Sequence, residues 1–321
     1  MSYTIEIQPA GVHFESESNL LSDALEQAVP LAYSCKTGEC GTCEAEVVLG
    51  NVNNGYDEIV NRGVILTCQA KALSNVTLKA KYHPELASQK QQVLPCKVGT
   101  FSYVTNDIIV INFRFPPTAE FDFLPGQYID LNFKGVKRSY SIANKKNDIN
   151  EFELHIRKVP DGKMSNSIFG QIKEGQLMRI EGPKGTFFVR DNNKSLVFIA
   201  TGTGIAPVKA MVEKLLESKD QRDIYIYWGM QYKEELYCSE LIQYAKKHKQ
   251  VTFFPVLSQE VNWEGHKGYV QDAVLKDFDS LAEQEVYACG SLNMINEARQ
   301  LFINKKLPSE SFYSDAFTAA K

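Results

Sequence analysis

Cys35-Lys36-Thr37-Gly38-Glu39-Cys40-Gly41-Thr42-Cys43, answered 25 positions later by Cys68, is the stretch on which the reading of this 321-residue chain turns. Four thiolates complete tetrahedral coordination around two bridged irons, and C-x4-C-x2-C with one distant cysteine is the plant-type 2Fe–2S spacing. Gly38 and Gly41 suit it, because a loop wrapped around a cluster needs positive φ and exposed amide donors. A structural four-cysteine zinc site, or reduced cysteines without metal, are the competing readings, although zinc pairs are usually closer and more symmetric in spacing. Cys96, Cys238 and Cys289 are scattered. An odd total of seven with a cluster in one loop points to metal in a reducing compartment rather than to disulfides.

Outward from the loop, Tyr3–Gln8 alternates like a strand, and residues 20–28 carry apolar positions at helical spacing behind Ser18 as a cap. After the loop, apolar stretches at 45–49, 64–66 and 76–78 are separated by the turn-rich segment NVNNGYDE. A first domain over residues 1–81 follows. Residues 82–95, polar with two prolines and no period, read as a linker. From 96 to 191, runs such as DIIVINFRF, QYIDLNF and EFELHIRKV broken by glycine and proline predict an antiparallel β-barrel. From 192 to 321, the strands LVFIA, IYIYW, VTFFPVL and EVYAC alternate with helical stretches, which predicts a doubly wound parallel sheet.

Two further motifs carry chemistry. Arg138-Ser139-Tyr140-Ser141 lies on a barrel strand, followed by His155, Arg157 and Lys158. A flavin needs an aromatic partner, cations for its phosphates and a hydroxyl near its reactive nitrogen; Tyr140, Arg138 and Ser141 supply these. Gly162, Met164 and Ser165 open a short helix whose free amides can receive a pyrophosphate. Thr201-Gly202-Thr203-Gly204-Ile205-Ala206-Pro207 directly follows strand LVFIA, the strand–turn–helix order that dinucleotide binding requires. Pro207 suits the first turn of the helix. Cys289-Gly290 ends strand EVYAC at the carboxyl edge, where open α/β sheets place ligands, so Cys289 is expected to face a nicotinamide. The alternative for an isolated cysteine is a buried packing role. Glu234 and Glu235 follow strand IYIYWGM, where a 2′-phosphate would call for basic residues, and this favours NADH over NADPH although Arg222 and Lys233 stand nearby.

With 44% apolar and 23% charged residues the chain is a folded one, and a formal charge of -4 without a basic block argues against nucleic acid as a partner. No stretch approaches membrane-span length and the amino terminus lacks a signal-peptide pattern, so no membrane role and a cytoplasmic location are expected.

The order of cluster loop, RSYS strand, TGTGIAP turn and CGS strand end resembles the ferredoxin–NADP reductase superfamily with an amino-terminal ferredoxin domain of β-grasp fold. CKTGECGTC, PPTAEF, GQYIDL, KRSYSIAN, IEGPKGTFFVR, YWGM, YACGSLNMI and YSDAF are similar, more narrowly, to the CDP-6-deoxy-Δ3,4-glucoseen reductases. The resemblance implies FAD held by Arg138, Tyr140 and Ser141, nicotinamide served by residues 202–207 and Cys289, and Asp315 and Phe317 close to the flavin. It further implies electron flow from NADH through FAD and the cluster to a pyridoxamine phosphate-dependent dehydrase, with C-3 deoxygenation of a CDP-4-keto-6-deoxy sugar for lipopolysaccharide O-antigen. A reductase component of an aromatic or alkane oxygenase shares every redox motif. A redox-sensing regulatory module is the reading from outside enzymology.

Overall fold

A computed structural model of the protein describes residues 1–147 and 149–317. It divides into two compact units, Met1–Gln89 and the chain from Lys90 onward.

In the first unit, strands Val12–Ser16, Tyr3–Gln8, Val76–Ala80, Glu44–Leu49 and Gly63–Leu66 form a five-stranded sheet in that order. Tyr3–Gln8 and Val76–Ala80 are parallel; the other pairings are antiparallel. Alternation buries Ile5, Ile7, Val47, Ile65 and Leu78 on one face. Helix Leu20–Glu26 adds Leu20, Leu21 and Ala24 to that core, the β-grasp arrangement. Its cap is Asn19, whose side chain accepts from Ser22 N at 3.0 Å. Ser18, the expected cap, instead donates to Asp23 Oδ1 at 2.6 Å.

The expected linker at 82–95 is largely structured. Tyr82 bridges Leu31, His83 N donates to Pro30 O at 3.0 Å and Leu86 is buried. Gln92 already opens a strand, Gln92–Tyr103, whose first residues pair with Leu177–Lys184. Lack of hydrophobic period in the sequence hides both, because these residues pair by backbone.

In the second unit, six antiparallel strands run in the order Val136–Ser141, Tyr128–Phe133, Leu177–Lys184, Gln92–Tyr103, Ile108–Arg114, Glu151–Arg157. A bridge between Ile142 and Leu154 joins the two ends and closes the barrel. Phe113, Phe152, Ile129 and Leu154 fill it. Beyond it, six parallel strands follow: Ser195–Thr201, Ile224–Met230, Val251–Leu257, His266–Lys267, Gln284–Ser291 and Phe312–Phe317. Across the sheet they lie fourth, third, second, first, fifth, sixth. Chain direction around the sheet reverses between Ser195–Thr201 and Gln284–Ser291, which makes the crevice beyond Thr201 and Cys289 the place for a ligand. Helices Ile205–Glu217, Ser239–Lys247, Val270–Asp277 and Leu292–Asn304 connect these strands. Among the described residues no helix is long and apolar enough to cross a membrane.

Candidate redox site

Lys36, Gly38 and Gly41 take left-handed φ values of 58°, 83° and 69°, which wind the cysteine loop tightly. A Cβ on Gly38 would lie 3.0 Å from Gln69 Cγ, so the loop packs closely against the segment that carries Cys68. Asn19 Nδ2 and Gln69 Nε2 hold that segment through Cys68 O, at 2.9 and 3.1 Å, and Thr67 N donates to Cys43 O at 3.0 Å.

The four thiols lie as two pairs. Cys43 Sγ is 3.3 Å from Cys68 Sγ, and Cys40 is hydrogen-bonded to Cys35. The bond from Cys40 draws Cys35 down to about 4, and that from Cys43 draws Cys68 down to about 6, while Cys40 and Cys43 are pushed up by the same bonds and by burial. Among the described residues no group of three Cys, His, Asp or Glu side chains is gathered to hold a metal ion. Two thiol pairs suit two irons with two thiolates each. Thr37 N at 3.4 Å from Cys35 Sγ and Gln69 Nε2 at 3.3 Å from Cys68 Sγ supply N–H···S contacts of the kind that tune such clusters.

In the second unit, alternation puts Arg138 and Tyr140 on one face of their strand. Arg138 donates only to Lys137 O, at 2.7 Å, and pairs with no carboxylate among the described residues, so its charge is open to a phosphate. Tyr140 packs on the barrel core, and burial raises its pKa. Ser139 turns to the other face and donates to Asp130 Oδ1 at 2.6 Å, away from the expected cofactor position. Ser141 Oγ donates to Asp315 Oδ2 at 3.2 Å, which brings the barrel strand and the last described strand together.

Residues 201–207 form the expected strand, turn and helix start. Gly202–Gly204 is a 3-10 turn between strand end Thr201 and helix Ile205–Glu217, with Pro207 in the helix's first turn. Gly202 has φ 56°, and Arg157 Nη1 would lie 2.9 Å from a Cβ there, so the guanidinium covers this turn. Trp228 Nε1 donates to Gly202 O at 2.9 Å. A Cβ on Gly204 would lie 2.3 Å from Cys289 O, and one on Gly290 would lie 2.2 Å from Thr201 Oγ1. Glycine alone permits these two strand ends to approach so closely. Thr203 is half-buried in the turn.

Several expected contacts fall elsewhere. His155 is 6% exposed, with Nδ1 3.0 Å from Tyr237 OH and Nε2 2.9 Å from Glu153 Oε1, so no ring nitrogen is left for a cofactor. Lys158 Nζ stands 5.8 Å over the Phe169 ring. Gly162 caps helix Lys163–Gln171, but Met164 is in the barrel core and Ser165 Oγ is occupied by Val159 and Gly162 carbonyls, which leaves backbone amides as the available donors. Cys289 is fully buried in the core of the nicotinamide domain, the packing role of an isolated cysteine, rather than open toward a ligand. Burial first, then the neighbouring Asp315, pushes its thiol well up. Asp315 is its register partner in the sheet, and Phe317, 39% exposed, ends the same strand. Glu235 is taken by Gln231 N and Tyr232 N, at 2.9 and 3.0 Å, so of the two acidic residues weighed for nucleotide choice only Glu234 is left without a capping role.

The sequence reading did not single out Lys209, Glu153, Trp228 or Tyr237. A lysine in the middle of the apolar run IAPVKAMV was the available signal.

Three family descriptions match the chain in order: the 2Fe-2S iron-sulfur cluster binding domain over residues 5–73, the oxidoreductase FAD-binding domain over 95–189, and the oxidoreductase NAD-binding domain over 198–300. Protein RfbI of Salmonella typhimurium is 47% identical, covering 100% of this chain and 98% of its own. The CDP-6-deoxy-L-threo-D-glycero-4-hexulose-3-dehydrase reductase of Yersinia pseudotuberculosis is 45% identical over 100% of both chains. Relatives named as reductase components of oxygenases stand at 29% to 31%. The solved ferredoxin reductase of a carbazole 1,9a-dioxygenase shares the fold, with TM-score 0.72 at 23% identity over 99% of each chain. The chain belongs to the family of 2Fe–2S, FAD- and NAD-binding oxidoreductases that includes the CDP-6-deoxy-L-threo-D-glycero-4-hexulose-3-dehydrase reductases.

Proposed function

We propose that this chain is an NADH-dependent reductase that supplies electrons, one at a time, to a pyridoxamine phosphate-dependent dehydrase during C-3 deoxygenation of CDP-4-keto-6-deoxyglucose in the cytoplasm. Full-length identity of 45% to a dehydrase reductase, well above that to oxygenase components, carries this reading. FAD, when bound, would supply the exchange between two-electron hydride chemistry and the one-electron chemistry of a 2Fe–2S cluster.

The chain's own residues then have distinct tasks. Cys35 and Cys40 would hold one iron of the cluster, and Cys43 and Cys68 the other. Arg138 would neutralise flavin phosphate, Tyr140 would offer its ring to the flavin, and the first-turn amides of helix Lys163–Gln171, since that of Gly162 is taken by Val159 O, would receive the pyrophosphate. The Gly202–Gly204 turn admits the dinucleotide backbone, with Arg157 above it. Ser141, whose hydroxyl donates to Asp315, would stand where flavin and nicotinamide come together, with Cys289 beside Asp315 in the sheet and Phe317 at the end of that strand.

The experiment is anaerobic NADH oxidation with CDP-4-keto-6-deoxyglucose, with and without the dehydrase, following a 3-deoxy product. Dehydrase-dependent product supports the reading. Reduced flavin and cluster with no product would move the acceptor to an oxygenase component. Failure of NADH to bleach the flavin would favour a sensing role.

A further inference from the structure

Lys209 lies in the most apolar part of helix Ile205–Glu217 and is 5% exposed. A buried ammonium is tolerated only when paired and hydrogen-bonded. Its Nζ lies 3.1 Å from Glu153 Oε1 and 2.9 Å from Glu213 Oε1, and donates to Ala143 O at 3.3 Å. Glu153 and Ala143 belong to the barrel; Lys209 and Glu213 belong to the nicotinamide domain.

The same network continues on both sides. Glu153 Oε1 meets His155 Nε2 at 2.9 Å, and His155 Nδ1 meets Tyr237 OH at 3.0 Å, which crosses back to the nicotinamide domain. Lys145 N donates to Glu213 Oε2 at 3.2 Å. Ala143 is two residues beyond Ser141, and Lys209 follows the Gly202–Gly204 turn by five.

We infer that Lys209 is a positioning residue: through Glu153 and Ala143 it sets the spacing between the strand that carries Tyr140 and Ser141 and the helix that opens at the nicotinamide turn. Apolar contact between the domains is non-directional, whereas a buried, hydrogen-bonded ion pair has one geometry. Hydride transfer is sensitive to that geometry, since a displacement of about 1 Å can cost roughly 100-fold in rate. The inference rests on the NADH-to-flavin half of the function proposed above and is independent of the acceptor.

The test uses the full-length, FAD-loaded protein and its Lys209→Met, Lys209→Arg and Lys209→Met/Glu153→Gln variants. Stopped-flow bleaching of the flavin at saturating NADH is expected to fall by about 10- to 100-fold in Lys209→Met, with FAD content and NADH affinity kept and with partial recovery in Lys209→Arg. Amide hydrogen exchange is expected to quicken at residues 141–147 and 205–213 and to stay unchanged in the first unit. Wild-type bleaching together with wild-type exchange in Lys209→Met would overturn the inference. Should that variant not fold, the double variant, which also removes one of the two stranded carboxylate charges, decides in the same way. Absence of bleaching in the wild-type protein would strike the proposed function instead, and the exchange pattern alone would then decide the role of Lys209.

Discussion

Ser141 Oγ donates to Asp315 Oδ2 at 3.2 Å, although 174 positions separate the two residues. Both are buried, at 7% and 8% exposure, and Asp315 is the sheet neighbour of Cys289. The end of barrel strand Val136–Ser141, the last described strand and the carboxyl edge of the parallel sheet therefore meet at one hydrogen bond.

Removing that bond should slow the first half-reaction. A hydrogen bond to a charged group contributes about 1.5–3 kcal/mol, so Ser141→Ala is expected to lower the rate of flavin bleaching by NADH by about tenfold or more. Asp315→Asn should do likewise, and the double variant should be no slower than the worse single one if the two act through one contact. Additive losses in stopped-flow traces would show separate roles.

Cys68→Ser should abolish the cluster's visible absorbance while NADH still bleaches the flavin. Cys68 is paired with Cys43 at 3.3 Å, so its loss deprives one iron of a ligand, and the separate fold of the second unit is untouched. Electron delivery to the acceptor should vanish, and an intact cluster in this variant would contradict the ligand assignment.

Gly204→Ala places a methyl 2.3 Å from Cys289 O, a backbone atom that cannot swing aside. Overpacking of this kind costs about 1–3 kcal/mol. Expected outcomes are a lower midpoint of urea unfolding and weaker NADH binding by titration, with the FAD content of the purified protein preserved.

Glu153 predicts an acid-dependent contribution to stability. Burial raises its pKa, but hydrogen bonds from His155 and the charge of Lys209 outweigh this and hold it below the ordinary value. A carboxylate with a depressed folded pKa stabilises fully above its unfolded value of about 4.3 and loses that contribution as pH falls through the lower, folded value. Trp228 and Trp263, the chain's two tryptophans, both lie in the nicotinamide domain and report its unfolding. The stability gap between the wild-type protein and Glu153→Gln, read by their fluorescence in urea, should be constant near neutrality and shrink below about pH 4.3. A gap independent of pH would show that the carboxylate charge is not what matters.

By itself the sequence determined the chemistry that is short in range. Cysteine spacing, the alternation of barrel strands, the strand–glycine–helix order at Thr201–Pro207 and the three-part domain order are all written within windows of a few tens of residues, because loop geometry and side-chain period are local properties. Tertiary structure alone decided which of those residues meet. The Ile142–Leu154 bridge that closes the barrel, the placing of His155 against Tyr237 rather than a cofactor, the inward turn of Cys289, and the Ser141–Asp315 and Lys209–Glu153 contacts join positions 12 to 174 apart. No period in the chain encodes such pairs. They arise when buried polar groups, costly without partners, find them across elements that the hydrophobic cores have already brought together.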